Sequence, residues 1–293
     1  MNHYYRIFGS RPVSIVVELG LGACLSEWIP MAKRLFKDYG VLLYERAGIN
    51  KSEPSSKERT PHNIAEELHE LLKKVDHEDK IILLAHSQGG LYAQQFCRLY
   101  PHMVKGIVLL DPLSGDDLKF KRTLSPKEYK QSGVDKSGNI KAMRVLARVK
   151  MGFLVKKLMK KAPPFCYYDG YSQEEQKEIL NSCSNAVHAD TAVKEYEKAH
   201  EEENIKLLKS KGDFPDIPLI LITHSSDLAI EESMKFGNNT REFAKKVEDM
   251  WQDIMKEYLS FSDKSLWLRA EKSTHYIHLM EPETVIEAVK RIQ

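Results

Sequence analysis

The residues with the clearest chemical potential lie at positions 80–100, which read KIILLAHSQGGLYAQQFCRLY. Residues 81–84 form an apolar run short enough for a strand buried on both faces. From Leu91 onward, apolar residues recur at helical spacing. Ser87 lies in the tight turn between them, and such a turn pushes a serine hydroxyl beyond the sheet edge, at a helix N-terminus. A serine hydroxyl is a poor nucleophile at neutral pH, so it needs a nearby base and a group that orients the base.

This turn, Ala85-His86-Ser87-Gln88-Gly89, resembles the nucleophile elbow of the α/β-hydrolase superfamily, whose pattern is G-x-S-x-G. Ala85 replaces the first glycine and keeps the side chain small, so that strand and helix can pack closely. The resemblance implies that Ser87 is the nucleophile, and that the acid and then the histidine follow it along the chain. Other segments resemble one bacterial, esterase-like branch of the superfamily, namely residues 16–22, 44–52, 110–117 and 251–260.

Two histidines lie late enough to act as the base, His275 and His278, in the segment STHYIHLMEP. The segment resembles the superfamily's ending, where the base follows the last strand and precedes the last helix. This match implies His275. His278 would then point back into the fold or form a local hydrogen bond.

Two aspartates remain open as the acid. Asp111 ends the strand that follows the elbow helix, and Asp227 follows the next strand. The commonest arrangement in the superfamily places the acid after the later strand, which favours Asp227. Members of the bacterial branch often lack an aspartate there, which implies the earlier one. We therefore favour Asp111 and keep Asp227 as the alternative.

Acyl transfer also needs donors for the tetrahedral oxyanion. In this superfamily the backbone N–H after the nucleophile supplies one donor, here that of Gln88. The second is expected from the turn after the strand at 13–19, at Leu21. Arg46 lies in a turn that, in relatives, more often organises loops than contacts substrate. The remaining histidines have no convergent metal-ligand spacing, so we predict neither a metal nor a cofactor.

The elements around these residues alternate between strand and helix up to residue 110. β-branched and apolar runs at 13–19, 41–44, 81–84 and 106–110 predict buried strands, and residues 217–223 and 265–268 resume the pattern. Such alternation predicts a mostly parallel central sheet flanked by helices, the fold that the resemblance also implies. Residues 114–213 carry only helical and loop signals. We expect a core of 1–113 and 214–293 and a helical cap, or lid, at 114–213.

The predicted cap has apolar residues at roughly helical spacing that alternate with lysines, between residues 143 and 161. Its apolar positions could line an acyl pocket. A basic amphipathic helix can also lie on a membrane. We favour a third interpretation, a helix packed on the core with a solvated lysine face.

Composition sets broad limits on partners and compartment. The 293 residues carry a formal net charge of +2, which gives no reason to expect nucleic acid. The N-terminus lacks the apolar region of a signal peptide, and no run approaches the ~20 apolar residues of a membrane span. Four widely spaced cysteines are typical of reduced thiols, so we expect a cytoplasmic protein.

The combined prediction is a carboxylesterase-like serine hydrolase that cleaves an ester, thioester or lactone of a small apolar molecule. Ser87, His275 and an aspartate would form its triad, with an acyl-enzyme intermediate. A peptidase or an acyltransferase of the same fold remains open, because fold alone does not decide the reaction. A ligand-binding protein with slow or no turnover is the alternative from another class. Its only support is two departures from the superfamily's pattern, Ala85 at the elbow and Leu19-Gly20 where many relatives have His-Gly.

Overall fold

A seven-stranded sheet forms the centre of the computed structural model, which describes residues 2–113, 116, 118–209 and 214–292. The strand order is β1-β3-β2-β4-β5-β6-β7. β1 pairs with β3 in antiparallel fashion, and every other pair is parallel. The strands are β1 (Tyr5–Phe8), β2 (Val13–Glu18), β3 (Gly40–Tyr44), β4 (His77–His86), β5 (Val104–Leu110), β6 (Leu219–His224) and β7 (Ser265–Ala270).

Fourteen α-helices are assigned within the described residues, together with three short 3₁₀ segments. Three helices precede β5: α1 (Ile29–Leu35), α2 (Pro61–Leu72) and α3 (Gly89–Leu99). Seven lie between β5 and β6: α4 (Leu118–Thr123), α5 (Pro126–Ser132), α6 (Ser137–Arg148), α7 (Gly152–Met159), α8 (Gln173–Cys183), α9 (Ala186–Ala199) and α10 (Glu202–Lys209). The last four are α11 (Ser226–Gly237), α12 (Arg241–Met255), α13 (Ile277–Met280) and α14 (Pro282–Lys290). The 3₁₀ segments are Leu25–Trp28, Pro101–Met103 and Lys256–Ser260.

The apolar strands explain why the sheet is covered on both faces. Along β4, Leu83 contributes to the core on one face, whereas Ile82 and Leu84 contribute to the core on the other. Each of these side chains is at most 3% exposed. Full burial of one such side chain stabilises the fold by about 1.5–3 kcal/mol. A strand covered on both faces has no polar alternation, which is why the sequence predicts it as a continuous apolar run.

The strand register brings the carboxyl ends of β4 to β7 to one edge. His86 at the end of β4 is level with Leu110, which ends β5. Leu110 is in turn level with Ile222 of β6. Residues that follow these strands therefore emerge side by side. This edge is where open α/β sheets bind ligands.

The predicted mostly parallel sheet flanked by helices is confirmed. Between β5 and β6, the described residues contain helices and loops and no strand. The expected boundary residues 114 and 213 lie outside the described residues, as does residue 117 of the segment 110–117. No helix in the described part of the chain is both long and apolar enough to cross a membrane.

Candidate active site

Ser87 occupies a strained turn between β4 and α3. Its φ is +52°, in the left-handed region that non-glycine residues rarely adopt. Its N–H donates to the Leu110 carbonyl at 3.0 Å, and its own carbonyl accepts from the Leu113 N–H at 2.9 Å. A Cβ at Gly89 would lie 2.4 Å from the Glu18 carbonyl oxygen, so only glycine fits where α3 approaches β2. These contacts hold the half-buried Ser87 above the sheet edge.

His275 and Asp111 meet at the same edge. Asp111 follows β5 with a φ of +45°, and His275 lies in the loop after β7. The His275 Nδ1 atom lies 2.7 Å from Asp111 Oδ2. Because an ionised carboxylate only accepts hydrogen bonds, Nδ1 carries the proton and Nε2 remains free to take another. This is the tautomer that a general base requires.

Asp227, the alternative acid, lies elsewhere. It is exposed in the first turn of α11, a helix that was not predicted from the sequence. Within the described residues, the carboxylate that contacts His275 belongs to Asp111.

Two residues that the sequence analysis did not identify, His224 and Glu248, continue the chain of contacts from His275 and Asp111. His224 ends β6, and its Nδ1 lies 2.8 Å from both Asp111 oxygens. Its Nε2 lies 3.1 Å from Glu248 Oε2 on α12, and its ring packs against Trp251 at 4.3 Å. The backbone N–H of His224 also donates to Asp111 Oδ1 at 3.0 Å. A signal was available, because His224 follows a predicted strand at the edge where Asp111 and His275 emerge.

Asp111, His224 and Glu248 form a buried row of side chains, and their charges are complementary. Burial lowers the pKa of His224, but the carboxylates of Asp111 and Glu248 outweigh this effect and hold its pKa above the ordinary value. Burial raises the pKa of Asp111, but the two histidines outweigh it and keep that pKa below the ordinary range. An imidazolium at His224 therefore lies between two carboxylates at neutral pH.

Both predicted oxyanion donors lie near Ser87: Leu21 lines the same cavity, and Gln88 is the next residue in the chain. Leu21 follows β2, and Gln88 lies at the N-terminus of α3. Within the described residues, neither backbone N–H donates to another protein group. Two such N–H groups are available for an oxygen atom that carries developing charge.

Arg46 fixes the turn that contains Leu21. Its Nη1 donates to the Leu19 carbonyl at 2.6 Å, and its Nη2 donates to the Gly20 carbonyl at 3.0 Å. The same side chain pairs with Glu18 at 2.9 Å. Arg46 is 2% exposed. It organises a loop, as the sequence predicted.

Helix α9 joins this buried network from above the sheet edge. Glu195 pairs with Arg46 at 2.8 Å and with Arg59 at 3.3 Å, and it is fully buried. His188 of the same helix lies 3.0 Å from the Gly22 carbonyl oxygen. α9 is therefore tied by polar contacts to the turn beside Ser87.

His86 and His278 are buried, and their contacts support the fold. His86 Nε2 donates to the His275 carbonyl at 2.9 Å, and burial lowers the pKa of His86 to about 3. It therefore stays neutral and supports the His275 backbone. His278 points into the fold and stacks on Trp28 at 3.9 Å, and the alternative of a local hydrogen bond is not formed among the described residues.

A cavity of about 330 Å³ opens above Ser87 and His275. Its size is within the range of small-ligand sites. Gly20 and Leu21 form one side of it, and helices α6 to α9 contribute apolar walls that include Ile140, Met143 and Ala192. Within the described residues, Ser87 Oγ and His275 face this cavity without a hydrogen bond between them; such catalytic contacts often tighten only with substrate.

The strand order and the elbow around Ser87 define the α/β-hydrolase fold. A family described as the alpha/beta hydrolase fold matches residues 13–131 of the chain.

Particular relatives extend the likeness. The uncharacterised protein YqjL of Bacillus subtilis is 27% identical over 281 residues, which are 96% of this chain and 83% of that protein. A proline iminopeptidase of Saccharolobus solfataricus is 33% identical over 113 residues, or 38% of this chain and 36% of that protein. A solved structure from Pseudomonas aeruginosa, provisionally named an epoxide hydrolase, has a TM-score of 0.72 at 12% identity. The match covers 99% of this chain and 90% of that one.

Proposed function

We propose that this protein is a serine hydrolase that cleaves an ester, thioester or lactone bond of a small molecule through an acyl-enzyme. The observation that carries the proposal is the contact of 2.7 Å between His275 Nδ1 and Asp111 Oδ2, beside the strained Ser87 at one cavity. The carboxylate selects the tautomer in which His275 Nε2 can accept the Ser87 proton.

The reaction has two halves. Ser87 Oγ attacks the carbonyl carbon while His275 Nε2 takes its proton, and the N–H groups of Leu21 and Gln88 stabilise the oxyanion. The carbon–oxygen or carbon–sulfur bond of the substrate then breaks, and His275 returns the proton to the leaving group. A water molecule releases the acyl group by the same steps, with His275 again as base.

The helices between β5 and β6 act in this proposal as a cap over the site. Ile140 and Met143 of α6 and Met159 of α7 line the cavity, which supports an apolar portion of the substrate. The corresponding domain division is a core of residues 1–113 and 214–293 and a cap of 114–213. A serine at the elbow argues against epoxide-hydrolase chemistry, because those relatives use an aspartate there.

Hydrolysis of p-nitrophenyl esters from acetate to decanoate tests the proposal. We expect turnover by the wild type and a loss of at least 10³-fold in kcat/KM for Ser87→Ala and for His275→Ala, because each group is an essential part of the triad. His62→Ala is the matched control, since His62 lies half-exposed on helix α2. Turnover that survives Ser87→Ala would contradict the proposal. No turnover of any ester would favour the ligand-binding alternative.

A further inference from the structure

Glu27 is a buried carboxyl at the wall of the candidate active-site cavity. It lies in the 3₁₀ segment Leu25–Trp28 and is only 6% exposed. Its Oε1 accepts one hydrogen bond, from the Cys24 backbone N–H at 3.2 Å. Within the described residues, no other protein group donates to this carboxyl or forms an ion pair with it.

Other buried carboxyls of the described chain are better satisfied. Some have a cationic partner, as in the pairs Glu18–Arg46, Glu195–Arg59 and Glu248–His224. Glu45 has no buried cation but accepts three hydrogen bonds, from the backbone N–H groups of Leu25 and Lys51 and from the Asn50 side chain. A buried carboxylate with one neutral donor is costly unless something else completes it. Glu27 differs from them in that its carboxyl accepts one hydrogen bond and the residue lines a cavity.

Among the described residues, no cation contributes to the electrostatics of Glu27, although Lys136 lines the same cavity. The titratable groups close to it are Cys24, Tyr171, Cys183 and Tyr276, and burial raises the pKa of each of them. Burial likewise raises the pKa of Glu27 to about 7, with the Cys24 N–H opposing the shift. The carboxyl is thus ionised in slightly alkaline solution, and no cation in the described part of the chain forms an ion pair with it.

We propose that Glu27 binds a protonated amine of the substrate, so that the preferred esters are small molecules carrying an ammonium group. An ammonium supplies both the missing charge and up to three donors. A hydroxyl would supply a donor but no charge. The apolar walls at Ile140 and Met143 would contact the carbon atoms between amine and ester. The kinetic test of this inference rests on the proposed hydrolase function.

The kinetic test compares p-nitrophenyl ω-aminoalkanoates of three to seven acyl carbons with matched alkanoates in which a methyl group replaces the ammonium. At pH 8, we expect the wild type to favour at least one amino ester by about 10- to 100-fold in kcat/KM, the range of one charged hydrogen bond. Glu27→Gln should abolish this ratio, because the amide keeps an acceptor for the Cys24 N–H but has no charge. The wild-type ratio should fall from pH 8 to pH 6, as Glu27 takes up its proton.

Glu66→Gln is the matched control, since Glu66 is a carboxylate on the surface of α2 that pairs with Lys57. It should leave the amino-to-alkyl ratio unchanged. A wild-type enzyme that shows no preference for any amino ester, or a preference that survives Glu27→Gln, would overturn the inference. So would a preference for acidic esters that disappears in Lys136→Met, because Lys136 also lines the cavity.

A binding test does not need turnover, so it separates this inference from the hydrolase proposal. Alkylammonium ions of four to seven carbons should raise the melting temperature of Ser87→Ala, and the corresponding alcohols should raise it less. The rise should disappear in the double variant Ser87→Ala/Glu27→Gln. Equal shifts in both variants would refute amine binding at Glu27, whatever the esters show.

Discussion

Replacing His224 by glutamine tests the buried row of charges behind His275. The change removes a cation that lies 2.8 Å from Asp111 and 3.1 Å from Glu248 and leaves two carboxylates facing each other. Removal of one partner from a buried ion pair costs about 3–5 kcal/mol of stability. We expect the free energy of unfolding to fall by that amount at pH 6, measured by urea denaturation.

The stability difference between wild type and His224→Gln should depend on pH in a defined way. The raised pKa of folded His224 contributes stability that is fully present below its unfolded pKa of ~6.5 and is lost as pH rises. The lowered pKa of Asp111 contributes stability that is present above ~3.9 and is lost as pH falls. The difference should therefore be largest between about pH 4 and 6.5 and should decline on both sides.

Kinetics distinguish a positioning role of His224 from a purely structural one. Without the imidazolium, the charge of Asp111 is unopposed and favours the protonated form of the base. The acidic limb of the pH profile of kcat/KM should move to higher pH. The double variant His224→Gln/Glu248→Gln removes the second carboxylate and should regain at least ~1 kcal/mol of stability relative to His224→Gln. A single variant within 1 kcal/mol of wild type at pH 6, with an unmoved acidic limb, would refute the role of His224.

Three further predictions concern other carboxyl groups. Asp111→Asn should lower kcat/KM for p-nitrophenyl butyrate by about 10³- to 10⁴-fold, because the amide favours the wrong tautomer of His275. Asp227→Asn changes an exposed side chain and should alter kcat/KM by less than about 3-fold. Equal effects of the two variants would contradict the assignment of Asp111 as the acid. Glu195→Gln should lower the free energy of unfolding by about 3–5 kcal/mol in urea titrations at pH 7, because it breaks a buried ion pair. Glu66→Gln, which breaks a surface pair with Lys57, should lower it by less than about 1 kcal/mol. Glu27→Gln should be more stable than wild type by up to about 3 kcal/mol at pH 8 and equally stable at pH 4. The reason is that the raised pKa of Glu27 lowers the stability of the wild type as pH rises from ~4.3 to 7. A stability difference that does not depend on pH would show that burial does not raise that pKa.

The sequence was most informative where one local pattern determines the structure. Apolar runs predicted the strands, and the elbow around Ser87 could be located because strand, turn and helix adjoin in sequence. Thr60-Pro61 is a local helix-start signal, a threonine cap followed by proline at the first turn, and α2 begins at Pro61 with Thr60 as its cap. These signals are local, so tertiary contacts do not override them.

Contacts between distant segments could be predicted only where the family resemblance implies them, as for His275 and Asp111. The pairing of Asp111 with His224 joins residues 113 positions apart, and no local pattern indicates that these two residues meet. The same is true of Arg46 and Glu195, which are 149 positions apart and lie on the core and on α9. The choice between Asp111 and Asp227 was open for this reason: each follows a strand, and only the register of β5 and β6 decides which carboxylate faces His275.

Covalent labelling of Ser87 tests the central proposal most directly. Wild type, Ser87→Ala and His275→Ala would be treated with a fluorophosphonate and analysed by intact-mass and peptide mass spectrometry. We predict one adduct per wild-type chain, at Ser87, none in Ser87→Ala and much slower labelling in His275→Ala, because the base activates the nucleophile. An adduct at another serine, or equal labelling rates with and without His275, would contradict the proposed mechanism.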